Sequence, residues 1–157
     1  MAVSRRALIE GLRAQSIRGR LEVYRGPPEV IIDVGHNVSA ADRLVEFLEE
    51  RPIVGRTLGV FSMLRDKPTA AVVERLRGAI GHWHIAELRE DRALPGIELE
   101  KIILSGATLS LRIWGSPQEA FRGACEDAQP IDRIIVFGSV YLAGAILQTL
   151  DHERTQA

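Results

Sequence analysis

The sequence predicts an α/β fold, a Rossmann-like and mostly parallel sheet of about six strands with helices on both faces. Short apolar runs alternate along the chain with longer segments whose apolar residues recur at helical spacing. The short runs are nearly continuous in Val, Ile and Leu, as is typical of strands that are buried on both faces of a parallel sheet. With 157 residues and 46% hydrophobic content, the chain suits one domain with a sizeable core.

The predicted strands share β-branched and aromatic apolar residues, and lie at 21–24 (LEVY), 30–34 (VIIDV), 57–61 (TLGVF), 83–86 (WHIA), 109–114 (LSLRIW) and 133–137 (RIIVF). Helices are predicted at 5–14, 39–50, 68–77, from 117 onward and at 140–150. Residues 87–108 are the least regular, and 99–104 fits either a strand or a helical turn.

Capping signals support three of these helix starts. Ser39 with Asp42 forms a capping box, with Ser39 as the expected cap. Ser116 opens a second box and is followed by a proline at the first helical position, where a missing N–H costs nothing. Pro68 is expected in the same first position of its helix.

Charge and cysteine content exclude several classes of protein. The chain has 20 Lys and Arg against 21 Asp and Glu, a net charge of −1, so we expect neither a nucleic acid nor a membrane surface as partner. No apolar run approaches the ~20 residues of a membrane span, and the N-terminal residues lack the apolar core of a signal peptide. The single Cys125 fits a reducing compartment, so we expect a cytoplasmic protein with this thiol buried on its helix.

The chain carries no standard phosphate-binding loop. Its only lysines are Lys67 and Lys101, and neither follows a glycine, so the pattern G-x-x-x-x-G-K-[ST] is absent. The pattern G-x-G-x-x-G is absent as well. Any phosphate contact must therefore use other residues.

Ligands of open parallel sheets bind at the carboxyl ends of the strands. That rule selects the segments at 33–37, 62–68, 86–91 and 138–141. In the first segment, the carboxylate of Asp33 suits a hydrogen bond with a ribose hydroxyl. The imidazole of His36, with Asn37 beside it, suits contact with a phosphate or stacking on a ligand ring. The alternative is an Asx-turn with helix capping and an exposed histidine.

The other candidate residues also have a functional and a structural interpretation. Asp66 and Lys67 suit charge contact with an anionic substrate or phosphoryl group, or else a solvated loop in which the aspartate caps a helix. Ser139 suits a carboxylate bound through its hydroxyl and the helix amides, or else a simple N-cap. Arg20 suits a bidentate phosphate contact, or else an ordinary surface position.

Two histidines, His82 and His84, fall on one face of a predicted strand. This spacing suggests a metal, but no third ligand stands at a convincing spacing, so an exposed edge is the favoured interpretation.

Four motifs follow one another in the order G-R-L-E (19–22), D-V-G-H-N (33–37), G-R-T-L-G-V-F-S-M-L-R-D-K (55–67) and V-F-G-S-V-Y (136–141). In this order they resemble the C-terminal domain of the bifunctional dihydrofolate synthase/folylpolyglutamate synthases of the Mur ligase superfamily. The resemblance covers about residues 9–150. It implies an ATP-dependent amide ligase, in which a folate or dihydropteroate carboxylate is phosphorylated and the amine of L-glutamate attacks the acyl phosphate.

The resemblance also implies roles for these residues. Arg20 would reach the ATP phosphates, and Asp33 and His36, with Asn37, would contact the adenosine. Ser139 would belong to the glutamate site. Asp66 and Lys67 would lie near the reacting groups.

The same resemblance implies a two-domain enzyme. Residues 1–16 would be an interdomain linker and helix, and 17–157 the C-terminal domain. An N-terminal ATP-binding domain, absent from this chain, would carry the phosphate loop and most of the Mg²⁺ ligands. We therefore expect the isolated chain to turn over no ATP.

Three alternatives remain open. The chain could be the C-terminal domain of a peptidoglycan-precursor (muramyl) ligase. It could be a freestanding nucleotide- or amino-acid-binding module without catalysis. A hydrolase or metal enzyme built on His36, His82 and His84 is disfavoured, because their spacing gives no convincing set of three ligands.

Overall fold

One six-stranded sheet organises residues 17–156, the part of the chain that the computed structural model describes. Its strands are β1 (Glu22–Tyr24), β2 (Glu29–Asp33), β3 (Thr57–Phe61), β4 (His82–Ala86), β5 (Ser110–Trp114) and β6 (Arg133–Phe137). The helices of this part are α1 (Val38–Glu49), α2 (Thr69–Leu76), α3 (Gly96–Leu104), α4 (Pro117–Asp127) and α5 (Val140–Gln156). The predicted helix at 5–14 and the predicted linker at 1–16 lie outside the described residues.

The strand order β1-β2-β6-β3-β4-β5 places three carboxyl ends side by side at the centre of the sheet. β6 pairs in parallel with both β2 and β3, so that Phe137 lies beside Asp33 on one side and Phe61 on the other. Only β1 runs antiparallel, against β2. The predicted mostly parallel sheet is confirmed, and the segments after β2, β3 and β6 emerge at one place.

Helices cover both faces of the sheet, as predicted. α1, α2 and α3 pack on one face around Phe61, Trp83 and Phe137, whose rings meet at centroid distances of 4.8–5.9 Å. α4 and α5 pack on the other face, against the alternate residues of the same strands. Because each fully buried large side chain contributes about 1.5–3 kcal/mol, these two layers stabilise the sheet that positions the strand ends.

The structure corrects one predicted helix start and adjusts another. Asn37, and not Ser39, caps α1, because helical geometry begins at Val38 and the Asn37 side-chain oxygen accepts a hydrogen bond from the Ala40 N–H at 2.9 Å. Pro68 stands just before α2, in the cap position, instead of being its first residue. The cap at Ser116 is as predicted, with its hydroxyl accepting from the Glu119 N–H at 3.2 Å.

The irregular stretch contains a helix, and the cysteine is not buried. Residues 99–104 belong to α3, with Leu99 and Ile103 four positions apart on its buried face. The expectation that Cys125 is buried is wrong, because the buried stripe of α4 follows Ala120 and Ala124, and the thiol is exposed one position further round the helix. No helix among the described residues has the length and apolar character that crossing a membrane would require.

Candidate functional site

A cavity of about 170 Å³ opens where the chain leaves β2, β3 and β6. His36, Lys67 and Ser139 line it, each from the segment that follows a different strand. Arg92 and Tyr141 complete the polar part of the lining. Three of the residues selected from sequence therefore meet at one place because the parallel register brings their strand ends together.

Asp33, the last residue of β2, is buried beside this cavity and holds the turn that follows. One of its carboxylate oxygens accepts from the Gly35 N–H at 2.7 Å, which is the Asx-turn offered as the structural interpretation. The other accepts from the Leu21 N–H at 3.0 Å. Since the Val34 N–H also donates to the Gly19 carbonyl at 2.6 Å, the segment that carries Arg20 is tied to the end of β2.

Two glycines allow the strand ends to approach each other. A Cβ on Gly35 would lie 2.6 Å from the Cβ of Ala40, so α1 could not start so close to the turn. Gly138 has φ +101°, and a Cβ there would collide with the Ser62 carbonyl oxygen. The Gly138 N–H donates to the Gly35 carbonyl at 3.1 Å, which links the ends of β6 and β2 directly.

The ring of His36 is oriented by its own backbone. Its Nδ1 lies 3.1 Å from the Val34 carbonyl oxygen, and since a carbonyl only accepts, Nδ1 is the nitrogen that carries the proton. In the neutral ring Nε2 then keeps a lone pair for a ligand in the cavity. Neighbouring Asn37 is exposed and its side-chain oxygen is committed to capping α1.

Lys67 and Asp66 form an ion pair at the mouth of the cavity. The ammonium of Lys67 lies 2.9 Å from a carboxylate oxygen of Asp66, and this hydrogen bond lowers the pKa of the aspartate. The Lys67 side chain is partly buried and lines the cavity, whereas that of Asp66 is half exposed and does not. The pair therefore presents its cation inward.

Ser139 precedes α5 and is 2% exposed. Its hydroxyl oxygen accepts from the Tyr141 N–H at 3.2 Å, as expected of a capping serine. The hydroxyl proton remains available for an acceptor in the cavity. Capping and ligand binding are thus compatible at this residue.

Sequence reasoning missed Arg92 and gave Tyr141 no role. Arg92 lies in the segment between β4 and α3, and the strand-end rule selects 86–91, one residue short of it. Tyr141 is the last residue of the selected segment 138–141, but no contact is predicted for it from sequence. Arg20 is exposed and its side chain is not part of the cavity lining.

The expected exposed edge at His82 and His84 is wrong. β4 is an inner strand between β3 and β5, and His84 is fully buried. Asp127, at the end of α4, places a carboxylate oxygen 3.9 Å from His82 Nε2 and 3.7 Å from His84 Nε2. His82, His84 and Asp127 form a group of three possible metal ligands. The sequence did not reveal the third member, because Asp127 reaches the strand only through the packing of α4.

Hydrogen bonding makes this histidine cluster a poor cation site. The indole N–H of Trp114 donates to His84 Nδ1 at 3.2 Å, so the proton of the neutral ring resides on Nε2, the nitrogen that faces Asp127. Arg112 approaches the same carboxylate oxygen to 3.6 Å. Burial, reinforced by the neighbouring His82, lowers the pKa of His84 to about 4, so the ring is uncharged at neutral pH.

Comparison with known proteins agrees with this fold. Residues 19–140 match the family model described as Mur ligase, glutamate ligase domain. The chain is 28% identical over 155 residues to the dihydrofolate synthase/folylpolyglutamate synthase of Escherichia coli (strain K12), a match that covers 99% of this chain and 36% of the relative.

Two solved structures have the same fold. Escherichia coli FolC in complex with DHPP and ADP superposes with a TM-score of 0.89 at 28% identity, covering 98% of this chain and 36% of that one. A bifunctional folylpolyglutamate synthase/dihydrofolate synthase with Mn, AMPPNP and L-glutamate bound superposes with a TM-score of 0.86 at 31% identity, covering 96% and 36%.

The chain spans about a third of the length of these relatives. Within that third, the family match includes the segments after β2 and β3 and most of the cavity, from Gly19 to Val140. The chain belongs to the Mur ligase family, as its glutamate ligase domain.

Proposed function

We propose that this chain is part of an ATP-dependent ligase that joins L-glutamate to a dihydropteroate or tetrahydrofolate carboxylate through an acyl phosphate. The cavity formed by His36, Lys67 and Ser139 at three adjacent strand ends is the observation that carries this proposal. It is supported by relatives that are dihydrofolate synthase/folylpolyglutamate synthases, and by their complexes with DHPP and ADP and with AMPPNP and L-glutamate.

The nucleotide side of the site would be built at the end of β2. The exposed guanidinium of Arg20 has the fork geometry that binds phosphate oxygens, and its segment is held against β2 by Asp33. Asp33 retains unused lone pairs for a ribose hydroxyl, and the Nε2 of His36 is a free acceptor. Asn37 offers its amide group beside them.

The amino-acid side of the site would lie across β6 and β3. Ser139 has a free hydroxyl proton, and it stands where the partial positive charge of the N-terminus of α5 favours a carboxylate. Lys67 would neutralise charge that develops on a transferring phosphoryl group, since such preorganised cations act strongly in a partly buried site. Asp66 would hold that ammonium in place.

The described residues do not supply a Mg²⁺ site at this cavity. Asp66 is paired with Lys67, and the lone pairs that Asp33 retains beyond its two backbone hydrogen bonds do not by themselves make up a set of metal ligands. A hard divalent cation needs several uncommitted oxygen ligands. We therefore assign the Mg²⁺ ligands, like the phosphate loop that this sequence lacks, mainly to a separate N-terminal ATP-binding domain, with residues 1–16 as the linker to it.

The test is glutamate-dependent ADP formation by the complete gene product and by the 157-residue chain alone. We expect turnover in the complete product with ATP, a folate-type acceptor and L-glutamate, and none by the chain alone. Turnover by the chain alone, or competition by muramyl nucleotides in place of dihydropteroate, would refute the proposal. Tight binding of a nucleotide or an amino acid by a native gene product of only 157 residues would favour the non-catalytic binding module.

A variant pair isolates the amino-acid side of the site. Ser139→Ala removes the hydroxyl proton, and should raise the KM for glutamate about tenfold with a smaller effect on the KM for ATP. Ser39→Ala is the matched control, because Ser39 is exposed and does not cap α1. Thermal melting of both variants checks that the fold is retained.

A further inference from the structure

We propose that Arg92 binds a carboxylate of the amino-acid substrate and thereby selects an acidic over a neutral amino acid. The inference rests on the proposed function and extends it to a residue in the segment between β4 and α3, away from the recognised motifs. The physical basis is an arginine whose backbone is held in place and whose side chain lines the cavity, with no ion pair or side-chain hydrogen bond found for it among residues 17–156.

The backbone around Arg92 is firmly held although its side chain is exposed. The Arg65 N–H donates to the Arg92 carbonyl at 2.8 Å, and the Leu94 N–H donates to the Met63 carbonyl at 2.9 Å. Between these two hydrogen bonds, Leu64 and Ala93 form an antiparallel bridge. The segment that carries Arg92 is therefore tied to the segment that leads into Lys67, and the two cations are placed by the same short ladder.

The start of this segment is fixed as well. The Glu87 N–H donates to the Trp114 carbonyl at 2.9 Å, and the Glu87 carboxylate accepts from the Gly96 N–H at 2.8 Å. Both ends of the connection from β4 to α3 are thus held by hydrogen bonds. Because the backbone of this segment is already ordered, binding of a ligand by Arg92 has to order only the arginine side chain.

Charge distinguishes Arg92 from the other cations near the cavity. Lys67 is paired with Asp66 at 2.9 Å, whereas no ion pair or side-chain hydrogen bond of Arg92 is found among residues 17–156. The pKa of Asp66 is lowered mainly by its hydrogen bond with Lys67 and also by the charge of Arg92, so the guanidinium lies within electrostatic reach of this pair. The cavity therefore carries one uncompensated positive charge beyond the Lys67–Asp66 pair.

Size and chemistry indicate which ligand would compensate it. The cavity of about 170 Å³ is smaller than the roughly 300–1,000 Å³ of sites for drug-sized ligands, so it suits a small metabolite and not a whole nucleotide. The planar guanidinium fork matches a carboxylate through two parallel hydrogen bonds. Ser139 and the start of α5 offer a second anion-binding element in the same cavity, as a dicarboxylic amino acid requires.

The proposal is tested by titrating the isotope-labelled complete gene product with L-glutamate and with L-glutamine, in the presence of AMPPNP and Mg²⁺. NMR spectroscopy follows the Nε–H resonance of Arg92 and the backbone resonances of the cavity. Glutamine has nearly the shape of glutamate but lacks the side-chain charge. Three variants are compared with the unmodified protein: Arg92→Gln, Arg92→Lys and, as control, Arg89→Gln. The control alters an exposed arginine of the same segment that does not line this cavity.

We expect the unmodified protein to prefer glutamate over glutamine at least about fivefold, with the Arg92 resonance shifting on addition of glutamate. Arg92→Gln should weaken glutamate binding by about five- to tenfold and abolish the preference, Arg92→Lys should retain part of it, and Arg89→Gln should change neither. A purely structural role of Arg92 would reduce the binding of both amino acids equally and would leave the ratio unchanged.

Two failures are distinguishable. If AMPPNP shifts the resonances of Gly35 and His36 but glutamate leaves Arg92 unmoved, or Arg92→Gln keeps the preference, the role of Arg92 is overturned and the proposed function stands. If neither the nucleotide nor glutamate perturbs the strand ends, both are overturned.

Discussion

Acidification should destabilise this fold through His84. The ring is fully buried, and burial, reinforced by His82, lowers its pKa from 6.5 to about 4. The unfolded chain takes up a proton near pH 6.5, whereas the folded chain does so only near pH 4. The stability contributed by the neutral ring is therefore present above pH 6.5 and is lost progressively as the pH falls toward 4.

The magnitude follows from the two pKa values. Between about pH 7.5 and about pH 5 they give a loss of about 2 kcal/mol in the free energy of unfolding. That is a large share of the roughly 5–15 kcal/mol that stabilises an ordinary domain. The pKa of His82 is also lowered by burial, so its contribution has the same sign.

Urea unfolding at a series of pH values measures this loss. His84→Gln removes the titrating group and leaves an amide oxygen that can accept the Trp114 N–H, so it should reduce the loss on acidification by about 2 kcal/mol. An equal loss of stability in His84→Gln and in the unmodified chain would refute the assignment.

Two further comparisons use matched variants. Gly138→Ala should lower the free energy of unfolding by at least about 2 kcal/mol, because φ is +101° and the new methyl group would meet the Ser62 carbonyl. Gly144→Ala, in α5 with nothing within 4 Å of the added Cβ, should raise it by about 0.5–1 kcal/mol, and equal effects in urea unfolding would contradict the close approach at Gly138. Lys67→Met should lower kcat/KM of the complete gene product by about 100-fold, whereas Lys101→Met, which alters the exposed second lysine on α3, should leave it within about twofold. Similar activity of the two lysine variants would remove Lys67 from the reaction.

Local patterns predicted most of the fold, because strands and helices depend on periodic burial that a sequence displays directly. The apolar run ending at Asp33 and the run 133–137 identified β2 and β6, and the parallel arrangement then placed their ends together. The residue at which each helix begins was harder to predict. Asn37 and Ser39 are both good caps, and the tight turn at Gly35 selects the earlier one.

What the sequence could not predict depends on contacts between distant segments. Asp127 meets His82 and His84 only because α4 packs over β4, and no local spacing encodes that meeting. Arg92 enters the cavity through a backbone ladder with the segment after β3, in a stretch whose composition shows no period. Both cases need the three-dimensional arrangement and not the pattern of residue types.

The central claim is that ligands bind at the carboxyl ends of β2, β3 and β6. Hydrogen–deuterium exchange of the complete gene product, with and without AMPPNP, Mg²⁺, dihydropteroate and L-glutamate, tests it directly. The account predicts that the ligands slow exchange at 33–38, 63–67 and 138–142. It predicts no change in exchange around His82 and His84, toward the amino end of β4. Protection confined to that opposite end, or no protection at the three strand ends, would contradict it.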